Sequence, residues 1–395
     1  MTAPEGSFYS AEDADSEGEE GKFYLWTHDE IRKVLSQEEA VIGMKIFNIS
    51  KSGNFPDEGA GGKSGRNILF LTKSINEVAS ELGVSSPELP TQLEAIRKKL
   101  FDYREKHTHP HKDNKILTDW NSLMIAAMAK ASKVLNEPKY SSTAIYAANF
   151  ILNNLQARNG RLLHEHGNSP AQLIGNADDY AFLIYGMLEL YEAVFDVNFL
   201  KTAIKLNNDV ILHFWDQKVG GFYFTADDGE KLPVQQKEIY DGAIPSGNSV
   251  AVLNLLWLGR ITANDDFEDK AVKTGQSFYS DVGNLPSAHS QILVALDFSL
   301  CPSFEIVIAG DPNSKETGKM LEAIRSKFVP NKIIILRPTD QESPEIDSIA
   351  SFIERYSSID EKTTVYVCYN FNCELPTTDV GNVRKRIGIQ TGEGP

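Results

Sequence analysis

The stretch that decides the fold reads TDWNSLM at residues 118–124, and its pattern returns as ADDYAFL at 177–183 and IPSGNSV at 244–250. Each copy opens a long apolar segment with almost no charge. The equivalent positions 119, 179 and 246 lie 60 and 67 residues apart, a spacing that suits a pair of long antiparallel helices and a loop. The chain is therefore predicted to form a ring of helical hairpins.

Helices that are apolar all round belong in a protein interior. We therefore predict inner helices over residues 120–133, 180–194 and 247–261. The segments that follow them are more polar and are predicted to form an outer layer, over residues 139–155, 198–214 and 266–281. The inner helices should be more buried than the outer ones.

Short segments with turn or strand chemistry precede the inner helices at residues 7–15, 160–167 and 220–229. The first and third share a pattern of aromatic residues followed by acidic ones. In a ring of hairpins these segments and the N-termini of the inner helices lie at one end. Functional side chains are expected at that end.

The chain changes character after about residue 300. Runs rich in β-branched residues at 304–310, 332–336 and 363–367 predict strands, and helical stretches lie between them at 317–327 and 345–356. The prediction is a partial toroid over 1–300, a small βαβαβ segment over 301–380 and a flexible tail over 381–395.

Composition narrows the partners. The chain has 395 residues, 41% of them hydrophobic, and a formal net charge of −16, so the phosphate-binding surface of a nucleic-acid partner is not expected. No apolar run approaches the roughly 20 residues that span a bilayer, so no membrane association is expected. The three cysteines suggest no disulfide framework, which favours a reducing, cytoplasmic location.

Several longer motifs carry a family resemblance. They occupy residues 8–17, 20–27, 67–69, 115–124, 241–249 and 368–376. At these positions the chain resembles the thioredoxin-domain-containing proteins related to spermatogenesis-associated protein 20, whose helical part is similar to the acylglucosamine 2-epimerase toroids. Members of that family carry an N-terminal thioredoxin-like domain with a Cys-containing motif, followed by an (α/α)6 toroid.

The resemblance implies that this chain corresponds to a C-terminal part of the family, since it contains neither the thioredoxin-like domain nor its motif. About nine or ten helices are expected between residues 28 and 300, where a closed ring of six hairpins needs about twelve. An incomplete ring would expose apolar helix faces. The expected partner is therefore the missing N-terminal half, or another subunit that covers the opening.

Acidic side chains and histidines supply the candidate catalytic groups, because proton transfer to a sugar needs converging acids or an acid with a histidine. The candidates are Asp178, Asp241, His164 and His166. Helix capping is the alternative role for acids such as Asp119 and Asp179, and solvated loop positions are the alternative for the histidines. Asp178 and Asp241 are less easily explained by capping.

Residues at the same end of the inner helices are the candidate substrate-binding groups. They are Trp120, Asn121, Asp179, Tyr180, Asp227, Asp228, Asn248 and His289. Aromatic rings there could stack on a sugar, although aromatic residues also dominate the cores of helical proteins. The predicted arrangement places His164 or His166, Asp178, Asp227 or Asp228, and Asp241 around one cavity with Trp120.

No metal or cofactor is predicted. His107, His109 and His111 lack the helical spacing and additional ligands of a metal site, and Cys368 and Cys373 are expected to be structural thiols. The resemblance implies a carbohydrate-active toroid of epimerase-like, isomerase-like or glycosidase-like ancestry that takes a small sugar ligand. The competing hypothesis is a non-enzymatic binding or scaffold module that works with a thioredoxin-like domain.

Overall fold

The computed structural model describes residues 1–56, 64–83, 87–167, 173–229, 232–369 and 372–388. Contacts within the chain define two compact units, one over Ala11–Asn114 together with Met1, the other over Thr2–Ser10 and Lys115–Pro395. This division does not fall at residue 300. Among the described residues no helix combines the length and the apolar composition needed to cross a membrane.

Four helices form most of the first unit. They are α1 (His28–Val34), α2 (Gln37–Ile46), α3 (Ile75–Leu82) and α4 (Leu89–Arg104). The first three each begin with a capping box, in which a Thr or Ser and a Glu three residues later exchange hydrogen bonds. Short strands complete the unit: β1 (Ala11–Glu12), β2 (Asp15–Ser16), β3 (Glu19–Glu20), β4 (Trp26–Thr27), β5 (Arg66–Asn67) and β6 (Lys112–Asp113). Antiparallel pairs join β1 to β6, β2 to β3 and β4 to β5.

Three helical hairpins dominate the second unit. They are α5 (Thr118–Leu135) with α6 (Pro138–Asn154), α7 (Ala177–Val194) with α8 (Val197–Phe214), and α9 (Gly247–Thr262) with α10 (Asp265–Ser277). Each first helix ends on a residue with left-handed backbone conformation, at Asn136, Phe195 and Ala263, just before its partner begins. The predicted mainly helical fold built from hairpins is confirmed.

The first helices of the hairpins pack side by side in the order α5, α7, α9, and α12 (Ser290–Leu300) lies next to α9. A short helix, α11 (Tyr279–Asn284), precedes α12. The backbones of α5 and α7 approach closely at Gly186, where an added Cβ would lie 3.0 Å from the carbonyl oxygen of Ser122. Twelve α-helices thus lie between residues 28 and 300 of the described chain, more than the nine or ten predicted, because short helices such as α1 and α11 have weak sequence signals.

The burial of the inner helices matches the prediction for two of the three. Thirteen of the 18 residues of α7 and 13 of the 16 residues of α9 are buried, against 7 of 18 in α8 and 3 of 13 in α10. For α5 the prediction is wrong, since 7 of its 18 residues are buried, almost the same share as the 6 of 17 in α6. One side of α5 is exposed although it carries apolar residues, among them Trp120 and Val134.

The C-terminal segment contains a four-stranded sheet in the order β10 (Lys332–Arg337), β9 (Phe304–Ala309), β11 (Thr364–Tyr369), β12 (Asn372–Cys373). Side chains alternate between its faces, so Val307, Ile333 and Ile335 join the helical core while Ile306 and Ile334 face a second cluster. That cluster includes α13 (Lys315–Arg325) and α14 (Val380–Gly388). Elsewhere in the second compact unit, β7 (Ile116–Leu117) pairs with β8 (Glu165–His166) in an antiparallel arrangement.

The predicted small α/β segment is confirmed, with corrections in detail. The helix predicted over 345–356 is instead two short 3₁₀ turns, Glu345–Ser348 and Ser351–Ile353, and β11 runs antiparallel to β9. The tail predicted over 381–395 begins as part of α14, in which Val383 and Ile387 are fully buried. Residues 389–395 of that predicted tail lie outside the described residues.

Cys368 and Cys373 form a disulfide bond, which corrects the prediction of unpaired thiols. The two residues are direct cross-strand partners in the β11–β12 pair. The hairpin thus brings together cysteines whose spacing of five gave no such indication. Because two of the three cysteines are paired, the cysteines no longer support the predicted cytoplasmic location.

Candidate functional site

Carboxylates link the N-termini of the inner helices to one another. Asp179 of α7 accepts the backbone N–H of Asp119 in α5 at 3.1 Å, and Asp178 accepts that of Gly247 in α9 at 2.9 Å. Asp241 accepts the N–H groups of Ser246 at 2.9 Å and Gln291 at 2.7 Å, and so bridges α9 and α12. These bonds place the four helix N-termini at one end, as the topology predicted.

The start of α7 fixes the position of Asp179. Asn176 is the N-cap, its side chain accepts the N–H groups of Asp178 and Asp179, and Asp179 in return accepts the N–H of Asn176 at 2.8 Å. This capping box was not recognised from sequence, although its signal, an Asn three residues before an Asp, was present. It holds a fully buried carboxylate in a single orientation.

His164 forms the second part of the site. Its Nδ1 lies 3.0 Å from both carboxylate oxygens of Asp179. This hydrogen bond raises the pKa of His164 to about 9, against the opposing effect of partial burial. The bonds from His164, Asn176 and Asp119 stabilise the Asp179 carboxylate against the burial that raises its pKa. The raised pKa of His164 favours an imidazolium–carboxylate ion pair at neutral pH, whereas burial of Asp179 acts against it.

Two further carboxyl groups adjoin this ion pair. Burial, followed by the nearby charge of Asp179, raises the pKa of Asp119 to about 6 and that of Asp178 to about 7. The N–H of Gly247 acts in the opposite direction on Asp178. Carboxyl groups that titrate near neutrality can give or take a proton at physiological pH, which is what general acid–base catalysis requires.

Gly247 permits the approach of Asp178. A Cβ added to this glycine would collide with the Asp178 carboxylate. Sequence reasoning did not single out Gly247, because the residue that needs the space lies 69 positions earlier in the chain. Trp120, which follows Asp119 in the first turn of α5, has an exposed side chain.

The polar side chains of three predicted binding residues form hydrogen bonds with backbone groups of other segments. Asn121 accepts the N–H of Phe8 at 2.8 Å and donates to its carbonyl at 2.9 Å, and Asn248 makes the same pair of bonds with Phe222. The hydroxyl of Tyr180 accepts the N–H of Leu162 at 2.9 Å. Each of the three inner helices is therefore hydrogen-bonded to one of the short segments at 7–15, 160–167 and 220–229. The similarity between residues 7–15 and 220–229 reflects this shared structural role.

The two other predicted histidines do not share the environment of His164. His166 is exposed and lies edge-on to Phe150, with ring centroids 5.4 Å apart. His289 is 6% exposed, and its Nδ1 lies 2.8 Å from the carbonyl oxygen of Leu285. Of the two histidines proposed as catalytic candidates, His164 therefore contacts Asp179, while the ring contact of His166 is with Phe150.

Asp227 and Asp228 belong to a different group. Nδ1 of His213 lies 2.9 Å from Asp227 and 3.7 Å from Asp228, and the Arg161 guanidinium lies 3.1 Å from Asp228. Both aspartates are exposed. The predicted arrangement around one cavity finds no counterpart among the described cavities of 510, 330, 600 and 360 Å³, none of which is lined by these acids.

Two clusters have the composition of a metal site. Asp119, His164 and Asp179 have ligand atoms within 4.8 Å of one another, as do His213, Asp227 and Asp228. In the first cluster both oxygens of Asp179 already accept backbone N–H groups and face His164 Nδ1. In the second, Arg161 supplies a competing cation. In both clusters candidate ligand atoms are thus already engaged by groups of the chain.

The fold and the cluster together define a helical-hairpin protein with an acid–histidine cluster at the N-termini of its inner helices. Its homologues are spermatogenesis-associated protein 20 chains, which confirms the resemblance found in the motifs. The human protein is 33% identical over 413 residues, covering 97% of this chain and 52% of its own length. An uncharacterized protein of Caenorhabditis elegans is 28% identical, covering 94% and 53%. The chain spans about half the length of the curated relatives it matches, and no protein-family model matches it.

Solved structures match it more distantly. A GH76 α-mannanase from Bacteroides thetaiotaomicron covers 75% of this chain and 80% of its own, with 15% identity and a TM-score of 0.41. Cellobiose 2-epimerase from Bacillus thermoamylovorans covers 44% and 47%, with 16% identity and a TM-score of 0.37. Likenesses at this level establish neither a common fold nor a common activity.

Proposed function

We propose that the cluster of Asp119, Asp178, Asp179 and His164 is a general acid–base site that acts on a carbohydrate. The observation that carries the proposal is the convergence of two carboxyl groups with raised pKa values on one buried imidazolium–carboxylate pair. In this assignment Asp178 and Asp119 exchange protons with the substrate, and His164 with Asp179 fixes the charge around them. Trp120 supplies the stacking surface for a sugar ring.

Two reaction types use such groups on sugars. An epimerase or isomerase removes a proton beside the carbonyl of a reducing sugar, whereas a glycosidase protonates the oxygen of a glycosidic bond. Incubation of the intact chain with glucose, mannose and cellobiose in D₂O separates them. Deuterium at the carbon next to the carbonyl marks the first reaction, and newly released monosaccharide marks the second.

Substitution of the two aspartates tests whether they carry out the proposed proton transfer. Asp178→Asn and Asp119→Asn remove a titrating group and keep a similar shape, so each is expected to lower turnover by at least about a hundredfold. Asp266→Asn is the matched control, since it removes an exposed carboxylate on α10 that pairs with Lys270 in the same helix. Turnover that is unchanged in both site variants overturns the proposal.

A scaffold role is the second candidate, and one observation favours it. Asp178, Asp179 and Asp241 each accept a backbone N–H from a neighbouring helix, which is a sufficient structural reason for their presence. Absence of sugar turnover and of sugar binding by calorimetry in the intact chain, together with lower melting temperatures in the aspartate variants, would decide for this role.

A further inference from the structure

A cavity of 510 Å³ lies near the other end of the inner helices. It is lined by the C-terminal parts of α5 and α7, by α9 and α12, and by the segment between α13 and β10. Lys130, on its wall, follows Asp119 by eleven residues of α5, which is about 17 Å along a helix. Its lining contains none of the four residues Asp119, His164, Asp178 and Asp179, and its volume is typical of small-molecule sites.

The charge of this cavity contrasts with that of the chain. Five cationic side chains line it against two carboxylates, in a protein whose formal net charge is −16. The cations are Lys130, Lys133, Arg325, Lys327 and Lys332, and the carboxylates are Glu189 and Glu192. A positive cavity in an acidic protein concentrates anions from solution.

The two carboxylates are already engaged. Lys133 lies 2.8 Å from Glu189 and 2.5 Å from Glu192, and Lys130 lies 3.2 Å from Glu189. Arg325 and Lys332 make no ion pair of this kind within the described residues. Arg325 donates to the carbonyl of Glu192 and Lys332 to that of Val329. These two cations are thus held by carbonyl groups, and Glu192 is the nearby negative charge that acts on both.

Unsatisfied donors and aromatic rings complete the lining. The indole N–H of Trp257 and Nε–H of Arg325 are buried and find no acceptor among the residues the structure describes. The Trp257 ring stands beside those of Tyr185 and Phe298, with centroids 6.2 and 6.4 Å away. Buried donors without acceptors are rare in folded proteins, so an acceptor-rich ligand is the natural partner for them.

We infer that this cavity is a second ligand site, which binds a small phosphate ester carried on a ring. Arg325 and Lys332 hold the phosphate, and the aromatic wall formed by Tyr185, Trp257 and Phe298 packs against the ring. The inference does not depend on the acid–base function proposed for the other end of the helices.

Calorimetry on the intact chain tests the assignment with four probes: phenyl phosphate, glucose 6-phosphate, inorganic phosphate and glucose. At least one of the two ring phosphates is expected to bind with one-to-one stoichiometry. Inorganic phosphate should bind at least tenfold more weakly, and glucose should give no saturable signal. Comparison of the two esters shows whether the ring is aromatic or a sugar.

Three variants and a control locate the binding. Lys332→Gln and Arg325→Gln should each weaken binding at least tenfold, as expected for the loss of a charge-assisted contact. Trp257→Phe, which keeps an aromatic ring and removes the N–H donor, should weaken it a few-fold. Lys139→Gln on the outer helix α6 removes an exposed cation and should change affinity less than twofold. Because Arg325 also holds the end of α7, Lys332→Gln is the decisive variant, with its fold checked by circular dichroism.

Three outcomes would overturn the inference. They are no saturable binding of either ester, equal affinity for inorganic phosphate, and unchanged affinity in Lys332→Gln.

Discussion

The carboxylate of Asp178 accepts the backbone N–H of Gly247 at 2.9 Å, so a residue in the first turn of α7 caps the first turn of α9. The same aspartate has a pKa raised to about 7 by burial and by the charge of Asp179. One side chain is thus both a structural acceptor and a candidate proton carrier. The two roles respond differently to substitution and to pH.

Asp178→Asn tests the electrostatic part of this relationship. A carboxyl group whose folded-state pKa lies above its unfolded value of about 3.8 contributes stability below pH 4, and that stability is lost as pH rises toward 7. Asparagine keeps an oxygen for the Gly247 N–H and cannot ionise. The variant should therefore equal or exceed the wild type in free energy of unfolding at pH 8, with a weaker pH dependence between 4 and 7.

Urea titrations at several pH values measure this. Asp178→Ala, which removes the acceptor as well, should be less stable than Asp178→Asn by about 1 kcal/mol at pH 8, the usual cost of a lost cap. Asp266→Asn should retain the pH dependence of the wild type. A large loss of stability in Asp178→Asn at pH 8 would contradict the raised pKa.

Gly247→Ala tests the close approach between Gly247 and the Asp178 carboxylate. Because the added methyl group would collide with the Asp178 carboxylate, the substitution should displace that side chain and weaken the link between α7 and α9. We expect a loss of about 1–3 kcal/mol, the usual cost of overpacking a buried position. Gly318→Ala in α13, where no atom lies within 4 Å of the added Cβ, is the control and should be neutral or stabilising.

The pair formed by His164 and Asp179 predicts a second pH window. A histidine whose folded-state pKa is raised from 6.5 to about 9 contributes stability fully below pH 6.5, and this contribution disappears as pH rises through 9. The free energy of unfolding of the wild type should fall between pH 6.5 and 9 relative to that of His164→Gln. An NMR titration of the His164 ring that gave a pKa near 6.5 would refute the ion pair.

The helical repeat was predictable because it rests on local pattern. Apolar segments with turn residues at regular spacing specify hairpins, and the buried helices α7 and α9 began close to their predicted starts. The burial of α5 was not predictable in the same way. Its sequence is less apolar than that of α7, and which of its sides a neighbour covers depends on tertiary packing rather than on periodicity.

The site was only partly predictable, for a physical reason. His164, Asp178 and Asp179 were selected from their position before inner helices, and the structure brings them together. Their hydrogen-bond partners lie up to 69 residues away in sequence, so spacing could not separate a cap on a neighbouring helix from a free carboxylate. The cationic cavity was missed because Lys130, Arg325 and Lys332 come from distant segments with no shared motif.

The backbone anchors of the inner helices give the last prediction. Asn121 makes three hydrogen bonds, two with Phe8 and one to the carbonyl of Leu117, and Asn248 also makes three. Replacing either with Ala leaves several partly or fully buried backbone groups without partners. Such unmade bonds cost about 1–3 kcal/mol each when they cannot be replaced by water, so a loss of about 2–4 kcal/mol is expected for each variant.

Asn254→Ala is the matched control, because this asparagine is also buried in an inner helix but makes one hydrogen bond, to the carbonyl of Ala181, while its own oxygen has no donor among the described residues. Its replacement removes one bond and also one unsatisfied acceptor, so a loss of about 1 kcal/mol or less is expected. Urea midpoints for the three variants measure the difference. If Asn254→Ala costs as much as Asn121→Ala and Asn248→Ala, the asparagines act through packing volume, and their anchoring of the preceding segments contributes little to stability.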